Sequence, residues 1–180
     1  MRELALHILD IAENSVKANA KLVTIDIDVH DNLLTIKIID DGKGMSEEFL
    51  QKVTDPFTTT RTTRKVGMGI PLFKQAAETS GGTFEIKSQL GIGTEVKVTF
   101  QLDDVDRMPL GDIPSTATTL LYPDCDFKWI YTIGDESFIF DTREVKEELQ
   151  GIPIDSPEII AFLKSMIKEN IESINGGLVI

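Results

Sequence analysis

Asp40-Asp41-Gly42-Lys43-Gly44-Met45 decides the fold once three other stretches are set around it. Asp10-x-x-x-Asn14 comes before it; Asp55-Pro56-Phe57-Thr58-Thr59-Thr60-Arg61 and Gly67-Met68-Gly69-Ile70 come after. Each alone is weak. A polar pair four residues apart is ordinary on a solvated helix, Asp-Gly commonly ends a strand in a turn, and a basic, threonine-rich stretch is an ordinary loop. In this order, within the first half of the chain, they describe a pocket for a flat base and an anion. A helix supplies a carboxylate and an amide, a strand ends on an acid, and a glycine pair opens a second helix.

Working outward, residues 3–18 have helical period. Leu4, Ile8, Ile11, Ala12 and Val16 share one arc, and His7, Asp10, Asn14 and Lys17 the opposite one. Val23, Ile25, Ile27 and Val29 alternate with Thr24, Asp26 and Asp28 in a half-buried strand. His30-Asp31-Asn32 is a turn, and Leu34, Ile36 and Ile38 alternate in a second strand that runs into Asp40. Ser46 is placed to N-cap a short helix over 47–53 with two acids in its first turn. Residues 54–68 read as a loop. A helix follows from about Ile70 to Thr79 and stops at Gly81-Gly82. Phe84 and Ile86 fit one strand; Val96, Val98, Phe100 and Leu102 fit another, with Gly91-Ile92-Gly93 at the turn. The string α-β-β-α-loop-α-β-β predicts an α/β two-layer sandwich: a mixed, largely antiparallel sheet covered by helices on one face.

Residues 1–102 form this expected domain. Composition shifts at 103–114, an acidic, proline- and glycine-bearing linker. Residues 115–180 read as a small α+β extension, with strands over 116–122, 127–133 and 137–141 and a hairpin turn at Gly134-Asp135. A short helix is expected over 142–150. Ser156 and Pro157 open an amphipathic helix carrying Ile159, Ile160, Leu163, Ile167, Ile171 and Ile174, expected to pack on its own hairpin.

A net charge of −12 argues against nucleic-acid and anionic-membrane binding, because phosphate-rich surfaces reward basic faces. No apolar run reaches the roughly 18 residues a membrane helix needs, and the start is too polar for a secretory leader. The single cysteine, Cys125, excludes an internal disulfide and a cysteine-rich metal site. The expectation is a cytoplasmic protein.

The pocket residues suggest their chemistry. Magnesium takes hard oxygen ligands and keeps phosphates and waters in its shell, so Asn14 can supply one ligand without adding negative charge. Asp10, one turn earlier, can accept a proton from an attacking water. The Asp40 carboxylate can accept a hydrogen bond from an adenine amino group, where guanine presents a carbonyl. Gly42 and Gly44 let the backbone approach a base closely. Gly67-x-Gly69 opens a helix whose free N–H groups suit phosphates, and Arg61, Arg64 and Lys65 lie just upstream. Thr94 can hold a water bridging Asp40 and the base.

With these residues in place, the first ~100 positions resemble the GHKL superfamily of gyrase, heat-shock chaperone, histidine-kinase and mismatch-repair ATPases. Its N box resembles Asp10–Asn14 and its G1 box resembles Asp40–Met45. Asp55-Pro56-Phe57 and the G2-like Gly67-Met68-Gly69-Ile70-Pro71-Leu72 look closest to the histidine-kinase branch, and Gly93-Thr94 is similar to the last adenine-side element. The resemblance implies a Bergerat fold with ATP and Mg²⁺ as ligands. It implies Asn14 as the Mg²⁺ ligand, Asp40 on adenine, and 55–68 as a lid. It also implies Lys17, Gly42, Gly44, Met45, Phe57, Arg61, Arg64, Lys65, Gly67, Met68, Gly69, Ile70 and Thr94 as nucleotide-binding positions.

Two departures shape the functional expectation. Hydrolytic members carry Glu where this chain has Asp10, one methylene shorter, so hydrolysis is expected to be slow or absent. A self-phosphorylating kinase needs a helical hairpin bearing a phosphoacceptor. The N-box helix starts near Met1, and the only histidines are His7, read as a polar helix residue, and His30, in a turn. The transducer lysine of the gyrase branch has no counterpart; Lys128 reads as a surface residue. The expectation is a stand-alone Mg-ATP-binding protein that hydrolyses ATP slowly or phosphorylates a separate protein. The alternative is an ATP-sensing regulatory module whose lid and extension signal to a partner.

Overall fold

The computed structural model describes residues 2–54 and 68–180. Its elements run α1 (Leu4–Lys17), β1 (Leu22–His30), β2 (Leu33–Asp40), α2 (Glu47–Val53), α3 (Gly69–Thr79), β3 (Phe84–Gln89), β4 (Gly93–Gln101), α4 (Ile113–Thr119), β5 (Asp126–Ile133), β6 (Glu136–Asp141), α5 (Thr142–Leu149) and α6 (Pro157–Asn175). The strands form one six-stranded sheet in the order β3-β4-β2-β1-β5-β6. All neighbours are antiparallel except β1 and β5, which run parallel from Leu22↔Asp126 to Val29↔Ile133. The sheet is therefore mixed and largely antiparallel, as expected.

Local sequence explains the joints. Asp31 and Asn32 both take positive φ, 47° and 64°, in the two-residue turn between His30 and Leu33. That backbone matches the twist of a tight hairpin, and Asn and Asp tolerate it. Ser46 caps α2 by accepting the Phe49 N–H at 3.2 Å. Asp141 caps α5 by accepting the Arg143 N–H at 3.0 Å.

Every second residue of the central strands is buried on one face: Val23, Ile25, Ile27, Leu34, Ile36, Ile38, Val96, Val98, Phe100, Phe127, Trp129 and Tyr131. Leu4, Ile8 and Ala12 of α1, Phe73 and Ala77 of α3, Ala117 of α4, and Leu163 and Ile167 of α6 close over that face. The intervening strand positions are polar and half-exposed; Lys37 and Glu95 pair there at 3.6 Å.

Two expectations are corrected. Residues 116–122 are not a strand. Asp112 accepts the Ser115 N–H at 2.9 Å and opens α4, whose Ile113, Thr116 and Ala117 are buried. The helix packs on α6 and α1, and that burial overrides the strand preference of a threonine-rich run. His7 is not a solvated helix residue. It is 2 % exposed and stacks on Phe73 with ring centroids 5.3 Å apart.

The C-terminal elements build onto the same sheet, since β5 hydrogen-bonds along the free edge of β1. Leu4 and Ala5 donate to the carbonyls of Pro109 and Leu110, and Leu110 donates to Ile180. Residues 109–110 thus tie the start of α1 to the C-terminus. Among the described residues, no helix is long and apolar enough to cross a membrane.

Candidate nucleotide-binding site

A cavity of about 340 Å³ opens between α1, α2, the ends of β2 and β4, and the start of α3. Its walls are largely apolar, from Ile11, Ile38, Met45, Val53, Ile70 and Val96, with a few converging polar groups. That combination and size suit a small organic ligand held by a few oriented hydrogen bonds.

Asp40 is the anchor. Residues 34, 36 and 38 of β2 face the core, so the same alternation turns Asp40 inward at the strand's end. Its Oδ2 accepts the Ser15 hydroxyl at 2.6 Å and its Oδ1 accepts the Gly42 N–H at 2.9 Å. Each oxygen keeps lone-pair capacity after those bonds. The next acid turns away: Asp41 accepts the backbone N–H groups of Lys21 and Leu22 at 2.7 and 3.0 Å, tying the turn to the start of β1.

Two glycines let the surrounding backbone close in. Gly44 has φ of +66°, and a side chain there would run into the Gln89 backbone. Gly93 has φ of +140°, and a side chain there would strike the Asp40 carbonyl. Glycine takes both of these positive-φ conformations without the strain a side chain would bring. The turn after β2 thus lies directly on the β3–β4 hairpin. Asp40 and Thr94 are register partners across β2 and β4.

Of the residues singled out from sequence, Asn14, Lys17, Asp40, Gly44, Met45, Ile70 and Thr94 line this cavity, and Gly42 is buried beneath Asp40. The Asn14 amide has no hydrogen-bond partner among the described residues. Asp10 does not line the cavity. Its carboxyl group lies against Gly69, the first residue of α3, so closely that any side chain at 69 would collide with it. Met68 is 57 % exposed just before α3. Phe57, Arg61, Arg64, Lys65 and Gly67 lie outside the described residues.

Sequence reasoning passed over Ser15, Lys43, Phe49 and Ser88. Ser15 follows Asn14 directly, and its place on the inner face of α1 was the available signal. Ser88 accepts the Met45 N–H at 2.8 Å and contacts Thr94 Oγ1 at 2.8 Å. That link spans 43 residues from Met45 and has no local pattern. Among the described residues no cluster of three or more His, Cys, Asp or Glu could hold a metal ion.

The family model described as histidine kinase-, DNA gyrase B-, and HSP90-like ATPase matches residues 2–104, which carry α1, α2, α3 and β1–β4 around this cavity. The chain belongs to that family. Its residues 2–104 are a histidine-kinase-type ATP-binding domain. Sporulation kinase D of Bacillus subtilis is 32% identical over 94 residues, covering 51% of this chain and 18% of that protein. Histidine protein kinase DivJ of Caulobacter vibrioides is 30% identical over 124 residues, covering 66% of this chain and 19% of that protein. The chain thus spans about a fifth of the length of these relatives. The solved catalytic domain of histidine kinase ThkA aligns with a TM-score of 0.45 and 17% identity, covering 57% of this chain and 68% of that one.

Proposed function

We propose that the cavity binds Mg-ATP, with the adenine amino group donating to Asp40, and that the protein hydrolyses ATP slowly or passes its γ-phosphate to a separate protein. The observation that carries this reading is the Asp40 carboxylate, fixed by Ser15 and Gly42 beside an otherwise apolar cavity. A carboxylate there favours an amino-bearing base and repels a carbonyl.

The residues present fit the nucleotide and its metal. Gly44 and Gly93 give the close backbone approach that a flat base needs. The unpartnered Asn14 amide at the cavity wall would take one position in the magnesium shell, the phosphates and waters completing it. Lys17, 71% exposed beside it, offers a cation to the phosphates. Bound magnesium would neutralise phosphate charge. Arg61, Arg64 and Lys65 of the lid would add further cations. Asp10, held against the first turn of α3, is the general base for an attacking water or hydroxyl.

The second reading, an ATP-sensing module in the cytoplasm, is favoured by α6. Leu163, Ile167 and Ile171 are buried, but in a second stripe Ile159 and Met166 are only partly buried at the edge of the core and Phe162 is exposed. With Val145 and Leu149 of α5 it lines a groove in which Phe162 is 66 % exposed. Glu144, Glu147 and Glu148 flank it, so a basic, amphipathic segment of a partner protein is the fitting occupant.

Turnover separates the two readings. With γ-labelled ATP and Mg²⁺, released or transferred phosphate is expected from the wild type. Asp10→Ala should lower it about 100-fold while ATP affinity changes less than about threefold. Equal turnover in Asp10→Ala removes Asp10 as the base; ATP binding without turnover in the wild type excludes hydrolysis and leaves the sensor or a kinase that lacks its acceptor protein.

A further inference from the structure

β6 ends the sheet, with β5 on one side and no described strand on the other. Its tight turn sets which backbone groups face the open side. Ile133 and Glu136 flank that turn as a hydrogen-bonded pair, so by antiparallel alternation Phe138 and Phe140 direct their N–H and C=O groups at Tyr131 and Trp129 of β5. Ser137 and Ile139 direct theirs away from the sheet, and no turn or cap among the described residues takes them up. The strand also lacks the devices that blunt an edge. Glu136-Ser137-Phe138-Ile139-Phe140-Asp141 has no lysine and no proline, and its register with β5 runs without a bulge. The opposite edge, β3, exposes Glu85, Lys87 and Gln89. On β6 the exposed centre is apolar: Ile139 is 54 % exposed beside its register partner Ile130, on the face away from the helices.

We propose that β6 pairs antiparallel with β6 of a second copy of this chain, the two-fold axis passing through Ile139. Outward-facing residues pair only with outward-facing ones, so charge selects among the few registers left. Centred on Phe138, the pairing sets Asp135 opposite Asp141. Centred on Phe140, it sets Glu136 against Glu144 in the first turn of α5. Centred on Ile139, no acid faces an acid: Ile139 meets its own counterpart, Phe138 meets Phe140, Ser137 meets Asp141 and Glu136 meets Thr142. Asp141 already has its counter-ion in Arg143 at 2.7 Å. Ile130 and Ile139 of both copies then form one apolar rung across the seam, and the two sheets become continuous. The inference stands apart from the ATP reading. A strand seam is small beside a standard interface of about 1,600 Å², so the dimer depends on concentration.

Sedimentation velocity of the full chain, from about 1 to about 300 μM, tests it. The wild type should pass reversibly from monomer to dimer across that range. Ile139→Lys and Ile139→Glu each set like charges face to face at the axis and should weaken the dimer at least about tenfold. Because the Ile139 side chain is exposed, both variants should keep the wild-type circular dichroism and melt cooperatively. An equimolar mixture of the two variants should dimerise again, because opposite charges then meet at the axis. Phe162→Ser, in the groove between α5 and α6, should leave the dimer unchanged. A wild type that stays monomeric throughout overturns the inference. So does a dimer that both Ile139 variants leave intact, which places the contact on another face. If each variant weakens the dimer and their mixture fails to restore it, the axis does not pass through Ile139 and the proposed pairing is wrong.

Discussion

His7 shows what a single residue does when its helix turns it inward. Its ring stacks on Phe73, and both ring nitrogens lack a hydrogen-bond partner among the described residues. Burial and the nearby N-terminus push its pKa from 6.5 down to about 4, with Asp10 opposing weakly. The folded state therefore holds the neutral ring while the unfolded chain takes up a proton below pH 6.5. Stability from this group is complete above pH 6.5 and is lost as pH falls from 6.5 towards 4, by roughly 3 kcal/mol in all. Urea unfolding at pH 7.5 and 4.5 checks it: the wild type should lose about 2 kcal/mol more than His7→Leu. Equal losses would show that the His7 ring is not buried neutral. At this scale the sequence was informative where chemistry sits beside a turn. Asp40, Gly44 and Thr94 could be picked out because acid, glycine and hydroxyl recur at fixed offsets. Ser15, Ser88 and the burial of His7 could not, because their partners come from other elements.

At the scale of elements, periodicity located most of the helices and strands, and the exceptions have physical reasons. β1 and β2 alternate cleanly because one face is buried and the other wet. The Thr-Ala-Thr-Thr-Leu-Leu-Tyr run reads as a strand, yet its first four residues continue a helix opened at Ile113, because the Asp112 cap and contacts with α6 and α1 outweigh β-branched preference. α6 carries two apolar stripes, which sequence alone cannot rank. The structure separates them: Leu163 is 3 % exposed and Phe162 66 %. Leu163→Ala should cost about 2–5 kcal/mol in a denaturant titration through lost burial and a residual cavity. Phe162→Ser should change stability by less than about 0.5 kcal/mol. Comparable losses at both positions would mean that the Phe162 stripe is core and no docking face.

For the whole molecule, the decisive feature is one that no local pattern announces. β5 lies parallel to β1 and covers an edge that the first 102 residues would otherwise leave open. A parallel partner so distant along the chain leaves no turn signal to read. The family match ends at 104, but the start of α1 is hydrogen-bonded to residues 109 and 110. A fragment ending at Asp104 should therefore unfold well below the full chain, lose cooperativity and lose nucleotide binding. It would expose the β1 edge and untie the start of α1, the helix that carries Asn14 and Ser15. A fragment that melts cooperatively near the full-length Tm with unchanged ATP affinity would show that the C-terminal elements only decorate the sheet.

If Asp40 makes this an adenine site, calorimetric titration of the full chain with Mg-ATP and Mg-GTP, beside Asp40→Asn, will show it. Saturable one-to-one ATP binding is expected, with at least tenfold weaker GTP binding and a loss of ATP affinity of tenfold or more in a folded Asp40→Asn, on the order of the cost of one lost charge-assisted hydrogen bond. Equal affinity for ATP and GTP, or ATP binding that Asp40→Asn leaves intact, would contradict it.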